Sequence, residues 1–255
     1  MQLNEALFFG FFQVFARCTS MLLASPFYGN GVPVNARIAT GMVVSGALTP
    51  VLMPYLGHVP EDLFGLLAIL FREVIVGIMI GTVLKLLAQA FEMGGSLLDL
   101  QTGLSMAQLF DPLSGSAASI ISRFKYLLAV VLLLCLDAHH LMFSAFLDTY
   151  SVPLKLSAES MPQIIENGFG FLGKICLLSL QIAAPVAAVT VIIDAATGLV
   201  NKAVPQMQGF LVSLPAKIAV SLMTLGIGLP IAVAAARVGV DNTFAALHQI
   251  LQGAR

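Results

Sequence analysis

The chain has 255 residues, 58% of them hydrophobic and only 10% charged, with a formal net charge of −1. Soluble domains carry about 25% charged residues, so this composition cannot coat a soluble domain and points to an integral membrane protein. The near-zero charge also leaves no basic surface of the kind that holds nucleic acid.

Six long apolar segments are predicted in chain order, at about 6–24, 38–57, 63–90, 126–147, 169–200 and 207–234, with a shorter seventh at 97–110. Residues 1–5 lack the basic start of a signal peptide, so the first segment is expected to remain as a helix. The turn-rich stretch 25–33 ends at Pro33, which suits the first position of the second helix. The segments at 63–90 and 169–200 exceed the roughly 20 residues that span a bilayer, and must tilt, kink or extend beyond it. Pro185 should kink the fifth segment; Pro215 should kink the sixth or mark its true start. Asp241, Asn242 and Thr243 are placed to cap a short terminal amphipathic helix. No linker separates domains, so residues 1–255 read as one membrane domain. If all six segments span, Lys155, Arg237 and Arg255 fall on one side, and Arg37, Arg123, Lys125 and Lys202 on the other. That leaves no usable orientation signal. The expected fold class is therefore an all-α integral membrane protein with about six long, kinked apolar helices.

Between the third and fourth long segments the apolar pattern breaks. Residues 101–119 are rich in small side chains, contain Asp111-Pro112, and are bracketed by Gly103 and Gly115. Irregular backbone at membrane depth persists only where protein buries it or where it lines a water-filled cavity. A re-entrant or channel-lining loop is therefore expected near 101–119. Met106, Leu109 and Phe110 would form its apolar tip, able to stop water and ions as a dewetted constriction does. Asp111-Pro112 also reads as an N-cap and first-turn pair starting the next helix, and the two readings are compatible.

Charged residues interrupt the apolar segments at Arg17, Arg72, Glu73, Lys85, Asp137, Lys174, Asp194 and Lys217. Intramembrane charges face a bundle interior, a partner or water; for Lys85, Lys174 and Lys217 the alternative is snorkelling to an interface. Adjacent Arg72 and Glu73 should point about 100° apart on a helix, so each is expected to seek a partner on another helix or subunit. Arg37 sits in a first helical turn, where a cation opposes the helix dipole; a phosphate headgroup or a partner's carboxylate would explain it. Gly77 and Gly81 form a small-xxx-small pair suited to close helix contact. Asp137, His139 and His140 form the one cluster that resembles chemistry. Adjacent histidines diverge on a helix, unlike the i, i+4 pair of an HExxH zinc site, and no GxSxG is present. The cluster reads as a hydrogen-bonded helix end, with a proton relay open. Cys18, Cys135 and Cys176 lack metal or redox spacing. No catalytic residue, metal or cofactor is expected.

The order of several motifs resembles the FliR/SctT family of type III export-gate subunits across nearly the whole chain. The motifs are 26–33 with Arg37; 95–103 followed by 104–115; Asp137, Ala138 and His139; and 203–206 leading to Phe210 and Pro215-Ala216-Lys217. The family usually has glycine where Ala138 stands, which weakens any special backbone role for that turn. The resemblance implies a non-enzymatic, multi-pass protein of the bacterial inner membrane and flagellar basal body, inserted in a non-standard way. It implies assembly with FliP and FliQ beside FlhB, passage of unfolded flagellar substrates, and contact with membrane lipid. It assigns a channel plug to Gly103, Leu104, Ser105, Met106, Ala107, Gln108, Leu109, Phe110, Asp111, Pro112, Leu113, Ser114 and Gly115. Arg17, Arg37, Arg72, Glu73, Asp137, His139 and Lys217 are the expected inter-helix or inter-subunit polar contacts, and Gly77 and Gly81 the packing positions. The look of 111–115 favours the flagellar branch over a virulence homologue. A secondary transporter would need paired broken helices in two related halves.

Overall fold

The computed structural model describes residues 2–28, 32–56, 62–103, 120–151, 161–203 and 209–253. Among these residues every regular element is helical. In hydrocarbon each backbone group must find its partner within its own segment, and an apolar chain meets that demand as a helix. The helices are α1 (Gln2–Ala24), α2 (Val34–Leu52) with a short 3-10 turn (Met53–Tyr55), α3 (Leu63–Thr102), α4 (Ile120–Cys135), α5 (Ala138–Ser151), α6 (Met161–Ala203), α7 (Gly209–Ile227) and α8 (Leu229–Gly253). Four are long and apolar enough to cross a membrane, or up to six spans if the bent pairs α4–α5 and α7–α8 each count as one.

Several boundaries differ from the sequence reading. The short seventh segment does not stand alone: residues 97–102 complete α3, a single helix of 40 residues. At 1.5 Å per residue α3 is about 60 Å long, twice the ~30 Å hydrocarbon core. The break accordingly begins at Gly103, whose φ of 78° ends the helix, and not at Gln101. The expected span 126–147 is broken at Asp137, where φ is 55°. The span 207–234 breaks at Gly228, where α7 and α8 diverge by 54°. Pro215 lies inside α7 and does not start it. Pro33 is the residue before α2, not its first member. No terminal helix begins at Asp241: α8 runs through it, and Thr243 is buried.

The chain divides into two compact units. The first comprises Met1–Leu86, Asp137–Phe171 and Asn242–Arg255. Its buried side chains include Val14, Cys18 and Met21 of α1, Val76 and Ile80 of α3, and Met142 and Phe146 of α5. Here α1 and α3 meet through small residues. A Cβ on Gly77 would collide with the Arg17 carbonyl and the Ser20 side chain, and one on Gly81 with the Met21 carbonyl. Gly41 of α2 meets Thr19 of α1 in the same way. Such close backbone approach is how helices gain van der Waals contact in lipid, where the hydrophobic effect between them is absent.

The second unit comprises Leu87–Leu136 and Leu172–Asp241. Leu98, Ile121, Ala183 and Val186 form a buried cluster, with Leu97 and Leu225 packed against it.

Candidate functional site

Two polar constructions stand out, one in each unit. In the second unit the ends that flank 104–119 are tied together. Asp99, 1% exposed, lies one turn before the end of α3. Its carboxylate accepts hydrogen bonds from the backbone N–H of Ile121 (3.3 Å) and Ser122 (2.9 Å). The first N–H groups of a helix have no intrahelical partner, so a carboxylate there satisfies donors and meets the positive end of the α4 dipole. The Ser122 hydroxyl donates to the Glu92 carbonyl at 3.0 Å. Gly95 makes this approach possible, because a Cβ there would stand 2.5 Å from Ser122 Cα. Beside it, the Thr190 hydroxyl of α6 donates to Gln101 Oε1 at 2.9 Å.

Lys125 belongs to the same construction. The sequence places it with the charges of the connections, yet it is buried at 6% exposure. Its ammonium donates to the Ile182 carbonyl at 3.3 Å and is electrostatically coupled to Asp99. Ile182 precedes Pro185 by three residues, in the turn where the proline removes an N–H and crowds the carbonyls. A cavity of about 30 Å³ adjoins this point, lined among others by Lys125, Ile182, Pro185 and Gly228. It has room for a water.

In the first unit, Arg17 and Glu73 form a buried ion pair. Arg17 Nε and Nη2 both lie 2.5 Å from Glu73 Oε2. Arg17 Nη1 donates to Thr149 Oγ1 at 2.8 Å, and the guanidinium stacks 3.8 Å above the Tyr150 ring. Arg72 contacts the other carboxylate oxygen, Oε1, at 3.3 Å. The expectation that adjacent Arg72 and Glu73 do not meet is thus corrected. Their Cβ directions diverge, but the long arginine reaches round to the carboxylate. The stronger partner, Arg17, comes from another helix.

The remaining sequence candidates are placed as follows. Lys217 of α7 pairs with Asp194 of α6 in the second unit. Arg37 Nε donates to the Val32 carbonyl at 3.1 Å, just before its own helix. His140 Nδ1 lies 3.4 Å from Asp137 Oδ1, both groups being exposed. His139 packs edge-on against Phe27 with ring centroids 6.3 Å apart. The left-handed residue of this turn is Asp137 itself; Asp tolerates that region better than most side chains. Ala138 is fully buried and opens α5 in helical backbone, so the special backbone conformation of this turn belongs to Asp137 and not to position 138. The ligating atoms of Asp137, His139 and His140 lie within 4.8 Å of one another. Lys85 and Lys174 are exposed. Residues 104–115, to which the resemblance assigns the plug, lie outside the described residues; Gly103 is inside them.

Sequence reasoning missed Asp99, Ser122 and the burial of Lys125. An acid at position 99 of a strongly apolar stretch was the available signal.

A family model described as bacterial export proteins, family 1, matches residues 8–243, which include both constructions. The chain belongs to that family. It is also 30% identical to the flagellar biosynthetic protein FliR of Caulobacter vibrioides, over 85% of this chain and 86% of that protein. The identity to FliR of Pectobacterium carotovorum is 30%, over 87% and 84% of the two chains. For FliR of Bacillus subtilis it is 30%, over 86% and 85%. As an export-family member with several apolar helices, this chain is a membrane protein.

Proposed function

We propose that this chain is a flagellar export-gate subunit of the bacterial inner membrane, assembling with FliP and FliQ beside FlhB, and that residues 103–115 plug the channel for unfolded substrates. The flagellar assignment follows the names of its relatives. The observation that carries the mechanism is the tie between the flanks of 104–119. Asp99 at the end of α3 holds the first N–H groups of α4, so a segment entering the channel would leave from, and return to, a fixed base. Met106, Leu109 and Phe110 would supply the apolar seal. The subunit itself would perform no chemistry; driving energy would come from elsewhere in the apparatus.

Deleting 106–110 tests this reading. The expected result is an assembled complex, co-purifying with FliP and FliQ, in membranes that leak ions or small solutes. An assembled complex with an intact permeability barrier refutes the plug; a chain purified as a stable monomer, without FliP or FliQ, refutes the assembly.

A further inference from the structure

The first unit holds a cavity of about 270 Å³, far above the ~10–15 Å³ that one water needs. Its lining includes Gln13, Arg17, Tyr55, Arg72, Glu73 and Tyr150. Two guanidiniums face one carboxylate, so the cavity carries one surplus positive charge. Both oxygens of Glu73 are already engaged, Oε2 by Arg17 and Oε1 by Arg72. Arg17 is further fixed by Thr149 and the Tyr150 ring. Arg72 is different: 47% of its side chain is exposed, and it is held by its contact to Glu73. Gln13 is 97% buried, being only 3% exposed. Its Oε1, like the Tyr150 hydroxyl, is shielded from solvent without a hydrogen-bond partner among the described residues. A buried polar atom left unpaired is destabilising by about 1–3 kcal/mol, so these two side chains, both on residues that line the cavity, gain by turning to a polar occupant.

We propose that this cavity binds the phosphate of one anionic phospholipid. A phosphodiester carries one negative charge, equal to the surplus, and its oxygens accept from guanidinium and phenol donors. Gln13 Oε1 needs a donor, which a glycerol headgroup hydroxyl supplies. The bilayer is favoured as the source by position. The cavity is lined at Tyr55, the last residue of the 3-10 turn after α2, and along α3 from Ile69 to Val76, within four turns of its start. Tyr55 is 59% exposed, as an interfacial aromatic would be. Phe64, Leu67 and Phe71 are all exposed. At i, i+3 and i+7 they form one apolar stripe on the side of α3 away from the cavity-lining Ile69, Arg72, Glu73 and Val76, the surface a bilayer would cover. The site is independent of the plug.

The test uses the full chain, extracted in whatever native assembly it forms and exchanged into detergent containing phosphatidylglycerol. Retained lipid is counted by native mass spectrometry, and a parallel sample receives inorganic phosphate without lipid. One phosphatidylglycerol is expected per wild-type chain, with retention at least tenfold lower in Arg72→Gln. Gln13→Leu, which lines the cavity but is not part of the buried pair, should also lower retention if Arg72→Gln fails to assemble. Equal retention in wild type and both variants overturns the proposal. So does phosphate binding without lipid retention, which makes the ligand a free anion. Capture of a co-purifying subunit's carboxylate, by a carboxyl-directed cross-linker from an Arg72→Lys variant, makes the occupant a protein and overturns it equally.

Discussion

Replacing Asp99 by alanine should loosen the start of α4. The carboxylate accepts from two backbone N–H groups, at Ile121 and Ser122, in surroundings where Asp99 is 1% exposed and Ser122 7%. Each buried donor left without an acceptor is destabilising by about 1–3 kcal/mol. Some intrahelical relaxation at the first turn lowers the total, giving an expected loss of about 2–4 kcal/mol for local opening. At 1.4 kcal/mol per factor of ten, the opening equilibrium rises by roughly 30- to 700-fold. Amide hydrogen exchange reports this directly: peptides covering 120–125 should exchange faster by that factor, while peptides of α1 should be unchanged. Asp99→Asn keeps one carbonyl oxygen and should give a smaller effect. If exchange at Ile121 and Ser122 is the same in Asp99→Ala as in wild type, the carboxylate is not holding α4, and the fixed base of the proposed plug falls with it.

Two further outcomes are expected. Glu73→Ala leaves the Arg17 guanidinium buried without its carboxylate, and breaking a buried pair is destabilising by about 3–5 kcal/mol. Thermal unfolding in detergent should show the loss, and Arg17→Met with Glu73→Leu together should recover much of it; an unaltered melting profile for Glu73→Ala contradicts a buried pair. Gly77→Leu forces α3 away from the Arg17 carbonyl and should lower the yield of folded chain sharply, whereas Gly173→Leu, at a position where a Cβ would meet no atom within 4 Å, should leave yield unchanged.

The all-helical class and most of the long apolar segments were legible because hydropathy and bilayer thickness act over many residues at once. What misled was the meaning of small and polar residues. Gly94, Gly95, Asp99 and Thr102 lower the hydropathy of α3 and suggest an interruption, yet all four are buried. There they serve helix contact and capping, and the helix continues through them. Asp241, Asn242 and Thr243 imitate an N-cap although α8 continues through them: Asp241 and Asn242 are exposed polar residues on the helix, and only Thr243 is buried. The Arg17–Glu73 pair joins positions 56 residues apart, and its charges were visible while their pairing was not. The reach of Arg72 to Glu73 shows the limit of arguing from Cβ directions when the side chain is long.

That separation of 56 residues also sets a schedule. At ~5–20 residues per second, Glu73 leaves the ribosome roughly 3–11 s after Arg17. Throughout that interval α1 carries a guanidinium with no carboxylate, and a lone arginine at the centre of a helix raises the free energy of insertion by about 2.5–3.5 kcal/mol. Thr149, which holds another nitrogen of the same guanidinium, follows later still, 132 residues behind. The first helix is therefore expected to reach its final depth only after the third has been made, with Arg17 held at an aqueous edge until its partner is synthesised.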